Sequence, residues 1–178
     1  MPQLAPQDRA PDVRAHCVPA SEFRNALSKL ATTVSVITTD GPAGAAGVTC
    51  SAVCALSDEP AMVLVCIHGK SATNAAIKAN RVLCVNSLQA EQKDLSQAFA
   101  GIGSIPMPQR FKLSDWDTAI TGAPRCKHAL VTLDCEVADV RDVGTHSIFV
   151  ARVLVAAESS GGDPLLYQRR TYATTRLL

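Results

Sequence analysis

Three stretches in the first half of the chain have the apolar and polar pattern of β-strands. Residues 32–39 are almost all β-branched and precede the turn-forming residues 40–44, which predicts a strand entering a hairpin. Residues 47–56 are the expected partner of that strand. Residues 61–67 (AMVLVCI) contain no polar position, which predicts a strand that is covered on both faces.

The second half of the chain adds further strands. Residues 82–87 and 147–155 are apolar, and residues 165–169 form a shorter run, so we expect about seven strands in all. Residues 130–140 alternate between apolar and polar side chains, which predicts a strand with one face in solvent. The polar positions of this strand are Thr132, Asp134 and Glu136.

Helical spacing is limited to short segments. Ser21 precedes an apolar set at helical spacing, which predicts a capped amphipathic helix that ends near Ala31 and packs on a sheet. We expect two more helices, one from Ser71 and one over residues 91–100. Residues 101–117 contain two glycines, two prolines and the sole tryptophan, and such a long irregular segment suggests a lid over a site.

The order of these elements predicts the fold class. Many strands with hairpin-length connections do not give the alternation of strands and helices that builds a parallel sheet. We therefore expect a mainly β protein, an antiparallel barrel with short helical additions. A length of 178 residues favours one domain over residues 21–178, preceded by a mobile, proline-containing leader over residues 1–20.

Composition excludes several classes of function. With 19% charged residues and a formal net charge of +1, the chain lacks the positive field of a nucleic-acid-binding protein. No apolar run reaches the roughly 20 residues that cross a bilayer, and the N-terminus lacks the apolar core of a signal peptide. The seven cysteines lie mostly in strand-like surroundings. These features predict a cytoplasmic protein with reduced thiols and no membrane partner.

The stretch from residue 46 to residue 80 holds the candidate binding chemistry. Thr49 and Ser51 are small hydroxylated residues on a strand, where they line a pocket without filling it. Ser71 and Thr73 lie at the start of a helix, where unpaired backbone N–H groups bind anions. The combination predicts a ligand that is anionic and partly apolar, with a phosphate at the helix start.

Other motifs do not carry a specific chemistry by themselves. Residues 101–106 (GIGSIP) resemble a dinucleotide fingerprint but follow a helix, and residues 69–71 (GKS) lack the upstream glycine of a P-loop. Cys50 and Cys54 have no histidine or thiol pair to complete a zinc site, so no metal is predicted. His146 is either a ligand-binding or a structural histidine. Lys70 and Tyr172 are equally ambiguous when taken alone.

Six blocks of sequence, in order, resemble the short-chain flavin reductases, the reductase components of two-component flavin-dependent monooxygenases. The blocks are FRNALSKLATTVSVITTDGPAG, GVTCSAVCALSDEPAMVLVCI, KSATNAAIKANRVLCVNSL, FAGIGSIPMPQRF, DVGTHSIF and LLYQRRTYATTR. They cover residues 21–176 and are most similar to the reductases of hydroxyphenylacetate and chlorophenol monooxygenases. The corner at residues 57–61 has one proline where the family often has two.

The resemblance implies a split β-barrel that works as a homodimer, with FAD or FMN bound near the subunit interface. It also implies NADH, less often NADPH, as the hydride donor, and a separate monooxygenase that receives the reduced flavin. His146 is the catalytic candidate, and with Tyr172 it is expected near the nicotinamide. The cofactor-binding positions implied by the resemblance are Thr32, Thr33, Val34, Thr49, Cys50, Ser51, Ala52, Ser57, Asp58, Cys66, Ile67, Lys70, Ser71, Thr73, Phe99, Ala100, Arg110, His146 and Tyr172.

The expected activity is therefore an NAD(P)H:flavin oxidoreductase. Hydride transfer between stacked rings needs little acid or base chemistry from the protein, which has to orient the rings and stabilise the reduced flavin. Two other functions stay open. One is an electron carrier or storage protein that retains its flavin, and the other is a reductase of a larger substrate, such as a corrinoid. The choice between FAD and FMN is also left open.

Overall fold

The computed structural model describes residues 17–176. Most of the predicted leader, residues 1–16, lies outside the described residues. The strands, in chain order, are β1 (Thr32–Thr33), β2 (Ser35–Thr39), β3 (Ala46–Cys50), β4 (Val53–Asp58), β5 (Ala61–His68), β6 (Val82–Ser87), β7 (Trp116–Thr118), β8 (Pro124–Cys126), β9 (Val131–Val143), β10 (His146–Glu158), β11 (Leu166–Gln168) and β12 (Thr171–Ala173). The α-helices are α1 (Ala20–Leu27), α2 (Ala72–Asn80), α3 (Lys93–Phe99) and α4 (Met107–Arg110).

Seven of these strands form one antiparallel sheet in the order β3-β2-β6-β9-β10-β5-β4. The mainly β, antiparallel prediction is thus confirmed. The predicted barrel is not, because no ladder joins the edge strands β3 and β4 and closes the sheet within residues 17–176. These two edges are nevertheless consecutive in the chain, separated by Ser51 and Ala52 alone.

Two predicted strands are each split in the structure. Residues 32–39 form β1, which pairs with β11, and β2, which pairs with β3 and β6. The division falls at the buried Val34, whose N–H and C=O bond to Leu165 and Leu88 in neighbouring segments. Residues 47–56 are divided between β3 and β4 in the same way, because their two halves pair with different strands.

The core lies on the inner face of the sheet and is closed by the helices. Ile37, Val65, Leu83 and Phe149 are fully buried there, and Ile77 of α2 packs into the same cluster. Apolar burial of this kind is the main favourable term in folding. The predicted covering of both faces of β5 is not found within one chain. Its residues alternate, with Val63, Val65 and Ile67 buried and Met62, Leu64 and Cys66 half-buried on the outer face.

Helix α1 also differs from the prediction. It begins after Pro19 and ends at Leu27, and none of its residues is buried. Phe23 and Leu27 stay 52% and 47% exposed, so the expected packing on a sheet is absent within one chain. The C-terminal end of the helix is held instead by the β11–β12 turn, where Gln168 Nε2 donates to Lys29 O at 2.9 Å.

Tertiary contacts also override the alternation predicted in β9. Asp134 was expected in solvent but is 1% exposed. Its carboxyl oxygens accept hydrogen bonds from the backbone N–H and the hydroxyl of Thr121, which satisfy these buried polar atoms. The loop that carries Thr121 therefore covers the face of the sheet that the sequence pattern assigned to water.

The segment of residues 101–117 is more ordered than the sequence predicted. It contains α4 and two short 3-10 turns, and it is anchored by an aromatic cluster of Phe99, Phe111 and Trp116 with ring centroids 5.2–5.9 Å apart. Edge-to-face contacts of this kind stabilise the packing beyond simple area burial. No helix within residues 17–176 is long and apolar enough to span a membrane.

Gly47 of β3 is where the sheet and the aromatic cluster meet. A Cβ atom added to Gly47 would lie 2.5 Å from Cε1 of Phe99. We expect Gly47→Ala to lower the free energy of unfolding by about 1–3 kcal/mol through overpacking, measured by urea denaturation. Gly161→Ala is the control, since that Cβ meets no atom within 4 Å. Equal stability of the two variants would contradict this packing.

Candidate functional site

A groove crosses the molecule where β3 leaves the sheet. Two adjoining cavities of about 490 and 240 Å³ share the walls Thr49, Cys50 and Ser51. Cavities of this combined size are typical of small-molecule and cofactor sites. The groove therefore joins the strand end at Cys50 to segments that are distant in the sequence.

The shared wall is held from both sides. Thr49 Oγ1 donates to the carbonyl of Ser96 in α3 at 2.6 Å. On the other side, Cys50 Sγ donates to the carbonyl of Cys66 in β5 at 3.3 Å. Between them Ser51 is exposed, and no hydrogen bond from residues 17–176 reaches its backbone groups. The groove thus has an unpaired peptide edge at its centre.

The thiol of Cys50 has low reactivity as a nucleophile. Burial raises its pKa to about 11, while the N–H of Ala52, which bonds to Cys50 Sγ, opposes that rise. Burial also raises the pKa of the Cys66 thiol. Both thiols are protonated near neutral pH, and a thiol rather than a thiolate is a poor nucleophile. The groove is consequently unsuited to covalent cysteine chemistry.

The wider end of the groove is aromatic and cationic. Tyr172 hydrogen-bonds through its hydroxyl to Ser96 Oγ at 3.0 Å and packs edge-to-face against Tyr167 at 5.4 Å. Lys93 Nζ lies 5.8 Å from the centre of the Tyr172 ring, and Arg170 lines the same cavity. Rings and cations together suit a planar ligand that also carries negative charge.

The narrower cavity reaches the start of α2. Ser71 is the N-terminal cap of this nine-residue helix and makes no side-chain cap hydrogen bond. Among the described residues, no acceptor is paired with the backbone N–H of Ala72 or Thr73. Free N–H groups at the positive end of a helix dipole attract anions. This end of the groove is accordingly built for a negatively charged group.

Two histidines stand at the mouth of the narrower cavity. The rings of His68 and His146 pack edge-to-face with centroids 5.1 Å apart. His68 Nδ1 accepts the N–H of Lys70 at 3.1 Å, and His146 Nδ1 hydrogen-bonds to Thr145 Oγ1 at 2.9 Å. His68 therefore shapes the turn that leads into α2. No sequence pattern indicated a role for His68.

A third cavity of about 390 Å³ shares His68 and His146 with the narrower one. Its other walls include Lys70, Lys78 and Asp142. Lys78 Nζ lies 2.7 Å from Asp142 Oδ1. This hydrogen bond and a second one from Ser147 hold the pKa of the Asp142 carboxyl below its usual value. The aspartate is therefore ionised at neutral pH.

The structure brings together most of the residues expected at the site. The predicted positions that line the three cavities are Val34, Thr49, Cys50, Ser51, Ala52, Cys66, Ile67, Lys70, Ser71, Ala100, His146 and Tyr172. His146 and Tyr172, expected to act together, line different parts of the groove. No group of three or more metal-ligating side chains occurs within residues 17–176.

The other predicted positions do not line the three cavities of a single chain. They are Thr32, Thr33, Ser57, Asp58, Thr73, Phe99 and Arg110. Three of them have clear structural contacts. Thr73 Oγ1 donates to the carbonyl of Gly47 at 2.9 Å, Arg110 Nε donates to the carbonyl of Ile105 at 2.7 Å, and Phe99 lies in the core. They support the groove without facing into it.

Sequence reasoning missed several residues of the wider cavity, namely Lys93, Ser96, Gln97, Ile102, Tyr167, Arg170 and Thr171. In the sequence, the signal for this cavity was the basic pair Arg169-Arg170, close to Tyr172. Both residues have positive φ angles, 49° and 61°, in the turn between β11 and β12. This backbone conformation is costly for residues other than glycine, and such strain is often found at functional sites.

Comparison with known proteins gives consistent matches. Residues 27–176 match the family described as flavin reductase like domain. The chain is 41% identical over 168 residues to an FMN reductase (NADH) RutF 2 of Rhizobium rhizogenes, covering 94% of this chain and 93% of the relative. It is 37% identical to the 4-hydroxyphenylacetate 3-monooxygenase reductase component of Pseudomonas aeruginosa, covering 97% and 94%.

Solved structures agree with the sequence matches. The flavin reductase PheA2 superposes with a TM-score of 0.81 at 31% identity, covering 90% of this chain and all of that one. Nitrilotriacetate monooxygenase component B of Mycobacterium thermoresistibile superposes with a TM-score of 0.80 at 32% identity, covering 88% and 86%.

Proposed function

Because the chain belongs to the family of flavin reductase like domains, we propose that it catalyses the reduction of FMN or FAD by NADH and releases the reduced flavin. The observation that carries the proposal is the continuous groove from Tyr172 across residues 49–51 to the start of α2. A flavin has the same order of properties, with a planar ring at one end and a phosphate at the other.

The residues present fit a flavin. The phosphate would be held by Ser71, by Lys70 and by the free N–H groups at the start of α2. The ring would lie over residues 49–51, where the unpaired backbone of Ser51 offers a donor and an acceptor to its polar edge. Val34 and Tyr172 provide apolar contact at the wider end.

Hydride transfer requires the protein to orient the flavin and nicotinamide rings and requires little proton transfer. A bound flavin supplies the hydride acceptor and a reduced nicotinamide supplies the donor. The protein's residues bind both in contact and stabilise developing negative charge with N–H groups and with Lys70. The protonated thiol of Cys50 is held by hydrogen bonds and takes no part in bond making. Small residues at the groove leave room for the second ring.

We propose further that the chain works as a homodimer with the groove next to the subunit interface. Leu64, Cys66, Ile148 and Val150 are opposed in register on the outer face of β5 and β10, and all are partly exposed. An apolar sheet face of this kind is typical of a protein interface. Cys66 also lines the groove, which places the apolar face beside the site.

We also propose that the sheet belongs to a split barrel. This is supported by the direct passage of the chain from edge strand β3 to edge strand β4.

We propose in addition a separate monooxygenase that receives the reduced flavin. This is supported by the relative from Pseudomonas aeruginosa, itself a reductase component. A cytoplasmic location is supported by free cysteines. The domain would extend over residues 21–178, of which the family match covers residues 27–176.

The activity is tested by NADH oxidation with and without added flavin. We expect turnover that rises with free FMN or FAD in excess over the enzyme, because the groove is open and the product has to leave it. A flavin that co-purifies in stoichiometric amount, with no turnover of NADH, would instead identify an electron carrier or storage protein. Boiled enzyme and flavin alone are the controls.

His146→Ala tests the assignment of His146 to the nicotinamide. We expect the KM for NADH to rise about fivefold, because a hydrogen-bonding ring is lost from the mouth of the groove, with the Kd for FMN unchanged within twofold. Stopped-flow reduction at varied NADH concentrations measures the first value, and fluorescence titration measures the second. His128→Ala is the matched control, since His128 is exposed and lines none of the three cavities. An unchanged NADH dependence argues against the assignment.

Leu64→Lys tests the homodimer. Placing a charge in the centre of an apolar interface should shift the mass measured by light scattering from two chains toward one. Lys112→Ala, a substitution in the 3-10 turn Phe111–Leu113 and away from this face, is the control. A wild-type protein that elutes as a single chain would refute the interface.

A further inference from the structure

Apart from Lys70 and His146, the walls of the third cavity have no part in the function proposed so far. It begins at the shared residues His68 and His146, directly beyond the place assigned to the flavin phosphate, and it continues to Lys78 and Asp142. FMN ends at its single phosphate. A ligand that continues past that phosphate would enter this cavity.

The cavity has the chemistry to bind a second phosphate. Lys70 has no carboxylate within salt-bridge distance among the described residues, whereas Lys78 is paired with the single acid, Asp142. Lys70 therefore leaves the walls with a net positive charge. Ammonium groups are common ligands of phosphate in proteins. Lys78 is 37% exposed and Asp142 is 72% exposed at their side chains, so an incoming anion can reach both.

The shared wall adds a flat surface and polar groups. The edge-to-face rings of His68 and His146 present aromatic surface toward the second and third cavities. Aromatic surface suits a nucleoside base, and the Thr145 hydroxyl at the same wall suits a ribose. A Cβ atom added to Gly144 would meet no atom within 4 Å. The turn between β9 and β10 therefore leaves the cavity open beside Gly144.

We propose that this cavity binds the adenylyl phosphate and adenosine of FAD, so that the protein binds FAD more tightly than FMN. The inference rests on the proposed function, since it extends the flavin site beyond its first phosphate. The adenosine diphosphate portion of a nicotinamide dinucleotide has the same chemistry. The flavin is favoured because the cavity adjoins the phosphate end of the groove, while the nicotinamide has to lie on the flavin ring over residues 49–51.

Two variants of one ion pair test the proposal. Lys78→Ala removes a cation that faces the phosphate, whereas Asp142→Asn removes an anion and keeps an acceptor for Ser147. Both variants break the same salt bridge. We expect Lys78→Ala to raise the KM for FAD about three- to tenfold and Asp142→Asn to lower it about two- to threefold, with the KM for FMN unchanged within twofold. The opposite signs separate a ligand effect from a structural one.

The measurements are steady-state turnover with FAD and with FMN at saturating NADH, at low ionic strength. Thermal melting of each variant checks that the fold is kept. Changes that are equal for the two flavins, or that have the same sign in both variants, would overturn the proposal. So would an altered KM for NADH measured with FMN, which would assign the cavity to the nicotinamide dinucleotide.

The proposal can also fail separately from the proposed function. Wild-type protein without turnover on either flavin would refute the reductase activity. FAD binding is then still measured by fluorescence titration, with FMN as the comparison. A tighter wild-type Kd for FAD that is weakened by Lys78→Ala supports the cavity, and equal Kd values for FAD and FMN refute it.

Discussion

The groove depends on one constraint of the backbone, because residues 46–58 supply both edges of the same sheet. β3 completes its ladder with β2 at Cys50, and Ala52 O already accepts the N–H of Cys66 in β5 at 3.0 Å. The chain crosses from one ladder to the other at Ser51. A peptide group in this position cannot join either ladder, so it stays available to a ligand without disruption of the sheet.

The helices cover the inner face of the sheet and determine the polarity of the groove. Ser96 of α3 accepts a hydrogen bond from the Thr49 hydroxyl at its carbonyl, and its own hydroxyl hydrogen-bonds to that of Tyr172. These bonds link the end of β3 to the C-terminal hairpin. α2 places its N-terminal cap, Ser71, at the opposite end. Aromatic surface with two cations, Lys93 and Arg170, thus lies at one end, and the start of a helix lies at the other. This arrangement favours planar anionic ligands over simple apolar ones.

Much of this arrangement could be predicted from the sequence. The strand at residues 82–87 has the predicted bounds, and the hairpin of β2 and β3 pairs as expected. The start of α2, predicted from Ser71 and Thr73 as a place for an anion, does begin with Ser71 as its N-terminal cap. The exposed outer face of β5 could not be predicted, since an apolar run has the same pattern whether its second face is covered by its own chain or not. The burial of Asp134 depends on Thr121, 13 residues away.

By itself the sequence determined where most of the longer strands lie, that a helix begins near Ser71, and which family the blocks resemble, because these depend on local residue patterns. Tertiary structure decided which residues share the groove. Lys93, Arg170 and Tyr172 meet Thr49 only through folding of distant segments. His68 and Lys78 gain a role in the same way, since their positions at a third cavity follow from the turn between β9 and β10 packing beside α2. Contacts between distant segments leave no periodic signal, so only the fold reveals them.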